Sequence, residues 1–104
     1  MAWKPISERD FSALLREEIA QLDSEGRELN EAYSIQPVTM LIAHAPGAAP
    51  DPVFVVARSG TVVVYYDDVE EEFATGRVVT EGAIEGLSLF GALNWALRGL
   101  LSSA

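Results

Sequence analysis

The run PVFVVARSGTVVVYYDD, residues 52–68, constrains the fold more than any other part of the chain. Two β-branched, aromatic-rich segments flank Ser59-Gly60, the pattern of a tight hairpin with a turn glycine. Before the turn Val53, Val55 and Ala57 face one way, and Phe54 and Val56 the other. After it Val62, Val64 and Tyr66 oppose Val63 and Tyr65. A strand pair with one wet face would alternate apolar with polar residues. Here both faces are apolar. The sheet must be covered on part of each side, or its second face must meet another subunit.

The flanking segments supply the cover. Phe11, Leu14, Leu15, Ile19 and Leu22 recur at helical spacing and predict a helix over 7–22. Ser7 suits its N-cap, Asp10 completes a weak capping box, and Ile6 with Phe11 makes a hydrophobic staple. Leu29, Ala32 and Tyr33 predict a second, short helix over 24–33, which Gly26 weakens and Pro37 prevents from continuing. From Val38 the period falls to two, so VTMLIAH reads as a strand, and APGAAPDP as the loop after it. FATGRVVT supplies a fourth, edge strand through Arg77 to Thr80. A last helix is expected over 87–101, with Leu89, Leu93, Ala96, Leu97 and Leu100 on its core face. The 104 residues leave room for one domain, 1–104. The expected architecture is α+β: a two-layer sandwich with an N-terminal helix, a short second helix, an antiparallel meander of three to four strands and a C-terminal helix.

Composition removes several chemistries. The chain has no cysteine, so disulfides, thiolate zinc sites and cysteine nucleophiles are excluded, and a reducing cytoplasm suits it. His44 is the sole histidine, which rules out a site built on several imidazoles. The GxSxG nucleophile elbow, the GxxxxGK[ST] phosphate loop and GxGxxG are all missing. No apolar run approaches the ~18 residues of a membrane span, and MAWKPISERD lacks the pattern of a secretory leader. A net charge of −9 repels phosphate backbones, arguing against nucleic acid, and would draw in a basic partner. No catalytic residue, cofactor or metal site is expected.

Two surface features remain as candidate contacts. Asp67, Asp68, Glu70, Glu71 and Glu72 crowd carboxylates into one short segment. Hard cations need such oxygens, but the spacing matches no EF-hand loop, and neighbouring side chains of an extended chain point apart. The plainer reading is a solvated acidic turn; the functional one is a contact for a basic protein. Trp95 falls almost opposite the apolar stripe of its helix, beside Gly91, Arg98 and Gly99. A tryptophan between glycines would offer a flat anchor for a partner or for a homodimer. The plainer alternative buries it, against Trp3 for example.

The stretches VFVVA and YYDDVEEEF, with WKPIS at the start and ALNWALR at the end, resemble a group of small bacterial proteins that share this strand, glycine turn, acidic run and terminal helix. The resemblance implies that Tyr66, Asp68, Val69, Glu70 and Phe73 form one unit, and it carries no activity. Size, acidity and element order are also similar to those of small immunity proteins that neutralise toxins. The expected function is a non-enzymatic protein-interaction module of the cytoplasm, with an immunity- or antitoxin-like inhibitor of a basic protein as one alternative. A small metal- or ligand-binding domain or enzyme using His44 is the other.

Overall fold

The computed structural model describes residues 6–43, 47 and 49–102. His44 and Trp3 lie outside them, so the readings that rest on those two residues do as well. The chain runs α1 (Glu8–Ala20), α2 (Ser24–Tyr33), β1 (Ser34–Ile42), β2 (Asp51–Ser59), β3 (Val62–Asp67), β4 (Glu72–Thr80), β5 (Ala83–Gly91) and α3 (Leu93–Ser102).

The α+β class holds, but the sheet has five strands and curls into a closed barrel in the order β1-β2-β3-β4-β5. Neighbours in the meander pair antiparallel. The seam is a short parallel contact, Leu41 opposite Ala83 and Ile42 opposite Ile84. It is reinforced by the Leu41 amide, which donates to the Gly82 carbonyl at 2.8 Å. Closure explains the doubly apolar hairpin. One face, Val53, Val55, Val63 and Tyr65, packs inside the barrel with Met40, Ile42, Ala74 and Ile84, a cluster drawn from every strand and from no helix. The other face, Val56, Val62, Val64 and Tyr66, meets Phe11, Leu29, Leu93, Leu97 and Leu100 of the three helices. Ala57 joins this helix-facing cluster rather than the Val53–Val55 row, because the register slips between Val55 and Ala57. Such a bulge puts successive residues on the same side.

The helix ends follow the chemistry of their caps. Ser7 Oγ accepts from the Asp10 amide, and Asp23 Oδ1 accepts from the Gly26 amide at 2.8 Å. Each satisfies an N-terminal donor with no partner inside the helix. Gly26 is where α2 crosses α3, since a Cβ there would run into the Asn94 side chain. The residue that weakens the helix thus permits the packing. Pro37 falls inside β1, which starts at Ser34, ahead of the expected Val38. It sits where the β1–β2 register slips between Ser34 and Val38, a break in the ladder that tolerates a residue with no N–H.

The largest departure is at the C-terminal end. The helix expected over 87–101 begins only at Leu93, and residues before it form β5. Gly91 takes φ +82 and breaks the chain between strand and helix. β4, expected over FATGRVVT as an edge strand, is not an edge: Ala83–Gly91 pairs with it on the side away from β3.

Candidate functional site

The five acidic side chains divide into two roles. Asp67 ends β3, only 7% exposed, and its Oδ1 accepts from the Val69 and Glu70 amides at 3.0 and 3.1 Å. Asp68 Oδ2 accepts from the Ile6 amide at 2.7 Å, tying the start of the chain to the β3–β4 turn. These carboxylates shape the turn from within. Glu70 and Glu71 project into solvent, and Glu72 opens β4, paired with Asp67. Glu71 holds φ 57, which closes the turn in a left-handed conformation that few residues adopt. Among the described residues no group of three or more His, Asp or Glu side chains is placed to hold a metal ion. Tyr66 and Phe73, on either side of the turn, are cross-strand partners with ring centroids 5.1 Å apart.

Beside this turn the barrel has an open mouth of about 300 Å³, lined by Tyr65, Asp67, Glu70, Gly86, Leu87 and Leu89. Among the described residues β1 pairs with β5 only at Leu41–Ala83 and Ile42–Ile84. Leu87 and Leu89 are left 37% and 50% exposed. Tyr65 reaches the mouth from the barrel interior, and its hydroxyl is pushed up to about 12 by burial and then by the Asp67 charge. At neutral pH it is a neutral donor and acceptor, not a base. A second cleft lies between α1 and the turn, lined by Leu14, Glu18, Glu71 and Gly91. The Glu18 carboxylate there already accepts from the Leu93 amide at 3.0 Å, capping α3.

Trp95 belongs to a separate group. It is 54% exposed, and the Arg98 guanidinium lies 4.8 Å from its ring centroid. Arg98 donates to Asp23 at 2.8 Å and pairs with Glu25 at 3.4 Å; Asn94 donates to Asp23 at 3.0 Å. The indole therefore roofs a clasp that joins α2 to α3. The glycines do not flank it as open patches. Gly99 is buried under Phe90, whose ring atoms would lie 2.5 Å from a Cβ, and Gly91 belongs to β5 opposite Phe73. Structure thus joins Gly91 to the acidic turn and leaves Trp95 with Arg98.

The amide of Gly26, then Arg98 and Asn94, hold the Asp23 carboxyl far below the usual carboxylate range. A depressed carboxyl stabilises the fold above its unfolded pKa, about 3.9, and loses that contribution as pH falls toward the folded value. Asp23→Ala should therefore lower the urea midpoint at pH 7. Its deficit against the wild type should shrink progressively as pH falls below about 4, because the unfolded wild type then takes up a proton that the folded Asp23 still resists. A deficit unchanged between neutral and strongly acid pH would show that the clasp is not electrostatic.

Sequence reasoning missed Leu87 and Leu89 as site residues because it placed 87–89 on a helix, and Tyr65 because it reads as a core aromatic of the hairpin. The alternation Leu87-Ser88-Leu89, closed by Gly91, was the available signal. No protein-family model, curated protein or solved structure matches the chain. No helix among the described residues is long and apolar enough to cross a membrane.

Proposed function

We propose that the chain is a small, non-enzymatic, cytoplasmic interaction module that recognises a basic protein with the acidic end of its barrel. One observation carries this reading: Leu87 and Leu89 stand uncovered on β5 at a mouth shared with Asp67 and Glu70. Apolar side chains ringed by charge are the make-up of a binding patch, a dry centre with a polar rim. The net charge of −9 steers a basic partner toward it. An inhibitor that neutralises such a partner by covering it is the sharpest form of the proposal.

The test is capture of proteins from the source cell by the tagged chain, at low and moderate salt, beside a Glu70→Lys/Glu71→Lys variant. Both side chains are exposed, so the variant keeps the fold. The expected result is one basic protein retained at low salt, weakened by salt and lost by charge reversal. Retention indifferent to both salt and charge reversal would overturn the electrostatic reading.

A further inference from the structure

We propose that the mouth of the barrel is a socket for a single basic side chain, a lysine or arginine of the partner protein. The assignment rests on the interaction-module reading and narrows it to one kind of contact. Its starting point is Tyr65. This side chain is 3% exposed, yet its hydroxyl makes no hydrogen bond with the described residues. A phenol whose ring is buried usually gives its hydroxyl a partner. The hydroxyl is not sealed in. It borders Gly86, where an added Cβ would lie 3.2 Å from it, and both residues line the mouth. The missing side chain at Gly86 keeps the way to the hydroxyl open.

The other walls define what would enter. Asp67 is fixed by the two amides that bond Oδ1, while its Oδ2 makes no hydrogen bond with the described residues. Glu70 adds a second carboxylate at the rim. Two anions and a neutral hydroxyl call for a ligand rich in N–H donors and positive charge. Leu87 and Leu89 offer an aliphatic wall on the remaining side. Lysine and arginine combine that charge with a stem that lies along apolar surface. A neutral apolar side chain would leave Tyr65 and Asp67 unsatisfied. An acidic one would be repelled.

The test titrates the full, ¹⁵N-labelled chain with the N-acetyl, N-methylamide derivatives of lysine, arginine and uncharged norleucine. The basic probes are expected to give saturable amide shifts at Val69, Glu70, Gly86 and Ser88 that salt suppresses, while norleucine gives none. Gly86→Ala sets a methyl against the Tyr65 hydroxyl and should weaken binding by about tenfold. Glu70→Gln, an exposed substitution, should weaken it in the same direction whatever Gly86→Ala does to folding. Shifts equal for norleucine, shifts elsewhere, or none would overturn the socket. A Gly86→Ala chain that still captures the basic partner at full strength would also overturn it, while leaving the interaction-module reading intact. Saturable probe binding with no basic partner captured would sink that broader reading and keep the socket.

Discussion

Phe11→Ala is expected to lower the stability of this protein by about 3–5 kcal/mol, the cost of removing a fully buried aromatic. Phe11 is the one residue of α1 that is fully buried. Its ring stacks on Phe54 at 4.5 Å with planes 8° apart, and lies 5.5 Å from Tyr66 and 6.4 Å from Phe73. Those partners sit on β2, β3 and β4, so the ring binds the N-terminal helix across three strands. Small domains have about 5–15 kcal/mol in hand, so the loss approaches the whole margin at the low end. Urea denaturation reads it directly. A loss below ~1 kcal/mol would mean that α1 does not pack on the barrel as described.

Gly76→Ala should be the next most damaging small change, although it adds only a methyl. A Cβ at Gly76 would lie 2.8 Å from the Glu85 carbonyl oxygen, 3.2 Å from the Tyr65 ring and 3.3 Å from Ile84. The first of these is backbone in the paired strand and cannot turn aside. Overpacking of this kind costs about 1–3 kcal/mol. It outweighs the ~0.4–1 kcal/mol that alanine gains by restricting the unfolded chain. The urea midpoint should therefore fall for Gly76→Ala. An unchanged or raised midpoint would show that β4 and β5 are not drawn this close inside the barrel.

Local chemistry made much of this fold legible. Ser7, the Phe11–Leu15–Ile19 stripe and the 59–60 turn each act within a few residues, and α1, α2 and the hairpin follow from them. The two apolar faces of β2 and β3 announced that both sides were covered. What covers the second face was not readable, because closure depends on Leu41 meeting Ala83, far along the chain. The same limit explains β5. Leu89, Phe90, Leu93 and Leu97 satisfy a helical period, and only the need of β4 for a neighbour, with the left-handed Gly91, decides for a strand.

The site was half legible for related reasons. Helical phase placed Trp95 away from the core, and it is exposed. Phase could not show that Arg98 reaches past it to Asp23. In the acidic run, five similar residues carry no mark of which turn inward. The Ile6 amide on Asp68 and the local amides on Asp67 make that distinction, and the first is a contact across 62 positions. Tyr65 reads as one more core aromatic in the sequence, and only the folded barrel sets it in the lining of the mouth.

The mouth and its socket exist only if the sheet closes where it does. The direct test is amide hydrogen exchange of Leu41, with nuclear Overhauser contacts sought between Ile42 and Ile84. Closure places the Leu41 amide 2.8 Å from the Gly82 carbonyl, so it should exchange slowly, as a sheet-interior amide does, and the two isoleucines should show contacts. A Leu41 amide that exchanges as fast as a free edge, with no Ile42–Ile84 contact, would contradict the barrel and the socket built on it.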